Sequence, residues 1–205
     1  MTRVVNAIGS LALHWAYING IIHDLSLHIA AALNPAFENP DEAPPRPWDI
    51  MNTALSNMDE RAKIATVKAL AHHVDETRSP QFYERTAKLL DYVDNTLRPE
   101  RNRWMHDHWE FGDVISRVKL GAQVRRPQSR QRELQLWSER QYESVEEVEA
   151  FITNLEHASD DLVALDNHIA WIAGLRDGPS TFEQPLPVEW ASIAHKDWVG
   201  GFKRS

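Results

Sequence analysis

The chain has no cysteine among its 205 residues. That excludes disulfides, thiolate zinc sites, iron–sulfur clusters and thiol nucleophiles, and fits a reducing, cytoplasmic setting. Basic charge is in deficit: 22 Lys and Arg stand against 30 Asp and Glu, a formal net charge of −8, which argues against a protein that grips nucleic acid with its whole surface. An uninterrupted apolar run of membrane length is missing too. The opening MTRVVNAIGSLALHWAYINGIIHDLSLHIAAAL is apolar enough to suggest a signal peptide or anchor, but His14, Asn19, His23, Asp24 and His28 recur through it at helical spacing. It reads as a buried amphipathic helix, with no membrane partner.

What is present suits one globular domain. At 42% hydrophobic and 25% charged residues, the chain supports a single core, placed at 1–176, followed by a tail at 177–205 that carries Trp190 and Trp198. Two tryptophans in a tail suggest docking onto a body or partner, since disordered tails are poor in aromatics. No internal repeat is evident. Charge is segregated along the chain: residues 101–140 hold nine Arg and Lys against five Asp and Glu, whereas residues 141–190 hold one against eleven. Such runs are as readily solvated faces as binding surfaces.

Helical patterning dominates. Residues 4–33 read as one helix, ended by Asn34-Pro35, and the proline- and acid-rich 34–49 as a loop. A helix is expected over about 50–74, with Ile64, Val67, Leu70, Ala71 and Val74 on one stripe. Another runs from an N-cap at Ser79, with Pro80 in its first turn, to about Leu97. Arg98-Pro99 should break that helix and start a new one over about 99–110. Val114, Ile115, Val118, Leu120 and Val124 around Gly121 make 111–140 two short strands or an irregular basic excursion. Ser144-Val145-Glu146-Glu147 is a capping box for a last helix reaching about Leu175. The fold class is therefore all-α, a four- to five-helix bundle with a small β-hairpin or irregular insertion at about 111–140.

The stretch that speaks about chemistry is Arg101-Asn102-Arg103-Trp104-Met105-His106, in which a permanent cation precedes a side chain that titrates near neutrality. On an ideal helix residues five apart are separated by about 140° and about 7.5 Å of rise, so Arg101 and His106 converge poorly in one chain. They can converge across a two-fold axis, in a cleft to which each copy contributes one Arg and one His. Asn102 and His106, four apart, share a face.

Arg-Asn-x-x-x-His at a helix start, inside the string Glu100-Arg101-Asn102-Arg103-Trp104-Met105-His106-Asp107-His108-Trp109, resembles the HEPN superfamily (higher eukaryote and prokaryote nucleotide-binding). The resemblance spans the helical body, roughly 4–175, with ten residues carrying its specific part. It implies a metal-independent endoribonuclease that acts on RNA as a homodimer, in phage defence or a toxin–antitoxin-like system with a cognate antitoxin or regulatory protein. By position, Arg101 would bind the scissile phosphate, His106 would be the general acid or base for attack by the ribose 2′-hydroxyl, and Asn102 would orient His106 or the phosphate. Arg103, Arg125, Arg126, Arg130 and Arg132 would hold the RNA backbone. The resemblance implies no metal or other cofactor. Two departures stand out: His108 replaces a tyrosine through which one toxin branch is controlled, and Asp107 replaces a usual glycine, setting a carboxylate beside His106.

Two rival readings belong to other classes. His72-His73-x-Asp75, His106-Asp107-His108, and His23-Asp24 with His28 hold enough imidazole and carboxylate for an HD-type metal phosphohydrolase. Adjacent histidines on a helix point about 100° apart, however, so His72 and His73 do not readily face one ion. The other rival is a non-catalytic RNA- or protein-binding module whose Arg–His element is vestigial. Taken alone, Arg101 is more often a capping or salt-bridging residue, His106 a satisfied core histidine, and Trp104 and Trp109 core residues rather than base-stacking ones.

Overall fold

The computed structural model describes residues 2–34, 46–74, 79, 81–106, 108–111, 115–125, 133–142 and 144–176. In chain order the elements are α1 (Thr2–Leu33), α2 (Pro47–Ser56), α3 (Glu60–Ala71), α4 (Phe82–Tyr92), a π-helical segment (Val93–Leu97), α5 (Arg98–His106), β1 (His108–Phe111), β2 (Ile115–Arg125), β3 (Glu133–Tyr142) and α6 (Val145–Ile172). The described chain is mostly helical.

α1 carries Leu11, Trp15, Ile18, Ile22, Leu25 and Ile29 at alternating steps of four and three, and all six are buried. That spacing lays one apolar stripe along the helix, which packs chiefly on α6 through Phe151, Leu155, Leu162, Leu165 and Ile169. α3 adds Ile64, Val67 and Ala71, and α4 adds Phe82, Leu89 and Leu90. Each fully buried Leu, Ile or Phe contributes about 1.5–3 kcal/mol. Cross-helix pairs fix the direction: Arg3 meets Glu146 and Glu149, His14 meets Glu156, and His28 meets Asp166. Low numbers pair with low and high with high, so α1 and α6 run parallel.

Local chemistry sets the helix ends, and several depart from expectation. The helix expected at 50–74 is two, because Asp59 accepts the Ala62 N–H at 2.8 Å and caps a new start. α2 begins inside the expected loop, with Pro47 at its first position and the Arg46 N–H donating to Asp49 at 3.0 Å. Ser79 does not cap α4. Its Oγ and His168 Nε2 share a buried hydrogen bond of 2.7 Å, and Gln81 takes the cap position with a left-handed φ of 62°. Ser144 and Glu147 form the expected reciprocal box on α6. Beyond Ala173, Gly174 (φ 74°) closes α6, with Gly174 N donating to Trp171 O and Leu175 N to Ala170 O.

The insertion is a three-stranded antiparallel meander, β1-β2-β3, rather than a hairpin. β2 and β3 pair over ten residues, from Ser116↔Tyr142 to Arg125↔Glu133. The extra strand uses residues expected in the motif helix. That helix stops at His106 because Trp109 folds back: its Nε1 donates to Trp104 O at 3.2 Å, and the two rings stack at 5.3 Å. The Trp190- and Trp198-bearing tail lies outside the described residues. Among the described residues no helix is long and apolar enough to cross a membrane.

His168 sits between Phe82 and Trp171, with ring centroids at 6.1 and 6.3 Å. Burial, and then the Arg85 cation, push its pKa below the usual 6.5. The folded state therefore binds fewer protons than the unfolded one, so this contribution is complete above about pH 6.5 and is lost as the pH falls below it. Denaturant titrations between pH 8 and 5 should show wild type losing stability more steeply than His168→Asn; equal slopes would contradict this assignment.

Candidate functional site

α5 grows out of the preceding helix instead of starting after a break. Tyr92, Val93 and Arg98 all keep helical dihedrals. The Arg98 N–H bonds back to Val93 O, five residues away, and this wider turn accommodates the Pro99 ring, which in a regular helix would strike the carbonyl four residues before it. Arg98 Nε donates to Asp94 Oδ1 at 2.7 Å across the junction. Arg98-Pro99 is thus a π segment within a continuous helix, and that segment sets the rotation with which α5 presents its motif.

The motif side chains diverge. Arg101 turns toward α1, its guanidinium carbon 5.6 Å from the centroid of the Trp15 ring, an arrangement in which the ring face attracts the cation. Its Nη1 donates to Asn102 Oδ1 at 2.9 Å. Its Nε is buried without a hydrogen-bond partner among the described residues. His106, the last residue of α5, is exposed. Asn102, expected to orient His106 or the phosphate, accepts this hydrogen bond from Arg101. One chain therefore does not bring Arg101 and His106 together.

Arg101's support comes from residues that the sequence does not flag. Trp15 Nε1 donates to Glu60 Oε1 at 2.8 Å, and Asn19 Nδ2 donates to the same oxygen at 3.1 Å. A carboxylate in the first turn of α3 thereby locks the indole on which Arg101 rests, and its charge suits that helix terminus. Trp15, Asn19 and Glu60 lie far from Arg101 in sequence and form no motif, so only the fold brings them together.

Of the other expected residues, Arg103 is engaged by Glu100 at 3.2 Å. Arg125 ends β2 opposite Glu133. Arg126, Arg130 and Arg132, and also Asp75 and Asp107, fall outside the described residues. Among the described residues no group of three or more His, Cys, Asp and Glu is placed to hold a metal ion. The histidines have other engagements: His23 Nε2 meets Asn52 Oδ1 at 2.7 Å, His28 Nδ1 meets Asp166 Oδ1 at 2.7 Å, and His72 packs edge-on against Tyr83 at 5.0 Å. Asp24, one turn before His28, has its pKa raised by burial and then by Asp166.

Glu60→Ala strips the acceptor from two part-buried donors and should cost about 1–3 kcal/mol in denaturant unfolding, whereas Glu60→Gln, which keeps an acceptor oxygen, should recover most of that loss. An alanine variant as stable as wild type would show that Glu60 does not lock Trp15. The chain matches no known protein-family model, no curated protein and no solved structure.

Proposed function

We propose that the protein is a metal-independent endoribonuclease whose site combines Arg101 and His106 from the two copies of a homodimer. One observation carries this reading: α5 fixes Arg101 against Trp15 while leaving His106 exposed at its end. A positioned cation and a separate titratable group are the two parts that phosphodiester transesterification needs. The resemblance of Arg101-Asn102-x-x-x-His106 to HEPN ribonucleases supports the same reaction class, and the poor convergence of five-apart residues on one helix is why the site needs two copies.

In this reaction the ribose 2′-oxygen attacks the adjacent phosphorus as its proton passes to one His106 imidazole. The bond to the 5′-oxygen breaks, and that oxygen takes a proton from the His106 imidazolium so formed, leaving a 2′,3′-cyclic phosphate and a 5′-hydroxyl. The Arg101 guanidinium offsets the charge gathering on the phosphoryl oxygens, with Asn102 fixing its plane. The basic residues of β2 and the following segment supply the backbone contacts. A role in phage defence or a toxin-like response belongs to the same proposal.

The partial burial of Arg101 over Trp15 also favours a second reading, a non-catalytic module in which this arginine braces α5 against α1. Incubating total and transfer RNA with the protein in EDTA separates the two. Under the nuclease reading wild type cleaves, Arg101→Ala loses about 10²–10³-fold, and His106→Ala about 10²–10⁴-fold, with helicity unchanged. RNA left intact by wild type, or cleaved equally by both variants, would eliminate the nuclease. Cleavage abolished by EDTA would point to a metal hydrolase.

A further inference from the structure

Near the start of α1 and α6 a cleft of about 660 Å³ opens between the two helices, a size that suits a small ligand. Its floor is apolar, with Ala7 7% and Ile152 8% exposed. Asn6 and Ser10 line one wall, four apart and so on one face of α1, and bring an amide and a hydroxyl. Glu149 and Glu156 line the other, seven apart on α6, which places them on one face about 10.5 Å apart along the axis. Both ends of the cleft are therefore acidic. At the first, the Arg3 guanidinium grips Glu149 at 3.1 and 2.8 Å and reaches Glu146 at 3.5 Å, so one cation faces two carboxylates and a net charge of −1 remains. At the second, Glu156 meets the His14 ring at 3.5 Å, and a neutral imidazole leaves the carboxylate its charge.

We propose that this cleft binds a linear aliphatic polyamine, with one ammonium group at Glu156, another at the Glu149 end, and its methylenes along Ala7 and Ile152. Charge, spacing and hydrogen-bond type each select that ligand. The chain is net −8 and α6 carries seven Asp and Glu with no Lys or Arg, so its field draws in a polycation and repels an anion. Carboxylates two turns apart cannot chelate one metal ion, whose oxygen ligands sit at about 2–2.6 Å, and among the described residues no group of three or more His, Cys, Asp and Glu is placed to hold one. They match a ligand whose positive charges are separated by an apolar chain.

An ammonium group only donates hydrogen bonds, and the Asn6 carbonyl, the Ser10 hydroxyl and the Glu156 carboxylate can all accept. Among the described residues lining the cleft there is no aromatic ring, so a flat cation gains no stacking. No described residue of α5 lines it either, so polyamine binding and RNA cleavage are separate properties.

Isothermal titration of the full chain with spermidine should show saturable binding of a single molecule, tighter than that of putrescine, a diamine too short to reach both ends. Glu156→Gln should weaken it about ten- to a hundredfold. Ser10→Tyr, which fills the cleft and keeps every carboxylate, should abolish it at unchanged helicity. Asp160→Asn removes the same charge from α6 outside the lining and should change the affinity far less, because solvent and salt screen an exposed carboxylate. Absence of saturable binding to wild type overturns the proposal. Equal weakening by Glu156→Gln and Asp160→Asn would reduce the effect to the diffuse field of α6 and overturn it too, as would full binding by Ser10→Tyr or putrescine binding as tightly as spermidine.

Discussion

The parallel packing of α1 on α6 is the constraint on which the rest of the structure depends. Two helices from opposite ends of the described chain bury their apolar stripes against each other, and every element between them must fit the space they leave. Because the pair is parallel, α2 to α5 and the sheet must carry the chain back before α6 can start. Polar pairs then fix the register along the seam, from Arg3 with Glu149 to His28 with Asp166. Such partly exposed pairs contribute little stability individually. Their value here lies in rejecting shifted alignments of two helices whose apolar stripes alone would tolerate sliding.

The candidate site is a consequence of that frame. Trp15 belongs to the α1 core stripe and is 2% exposed, so its indole is a rigid platform rather than a mobile surface ring. Glu60 fixes its edge, and the π segment fixes how α5 approaches it. Arg101 is therefore held by three elements at once. Holding a guanidinium beside apolar surface, with a buried Nε unbonded, opposes stability. His106, by contrast, sits where a helix ends and a strand begins, with its position set by the Trp104–Trp109 stack.

Charge segregation follows the helix packing. The longest apolar helix, α1, has only Arg3 and Asp24 as formal charges, while its partner α6 is acidic along its outer side. Half of the uncharged character of α1 is explained by burial against α6. The other half, around Leu13 and Tyr17, faces outward among the described residues.

Much of the fold was legible in local sequence. Apolar spacing placed α1 and α6 nearly to the residue, and the Ser144–Glu147 capping box marked the start of α6, because periodicity and capping are properties of neighbours in the chain. The break at Asp59 was also locally written, in an acidic cap ahead of Glu60, though the apolar stripe running across it masked the signal. Other features were decided elsewhere. Ser79 looked like a helix cap, but His168, 89 residues on, took its hydroxyl. Pro99 looked like a break, but core packing carried the helix through it as a π turn. Strand β1 displaced the end of the motif helix because Trp109 had a stacking partner and a ladder to join. The Arg-Asn-x-x-x-His motif was visible in sequence, as was its failure to converge on one helix, since both follow from residue type and helical pitch. That Arg101 rests on Trp15, that Glu60 holds Trp15, and that Asn102 accepts from Arg101 are contacts between distant segments or choices of rotamer. Local sequence determines periodicity, caps and charge; which helix a side chain meets depends on how all the helices share one core, and only the tertiary structure decides that.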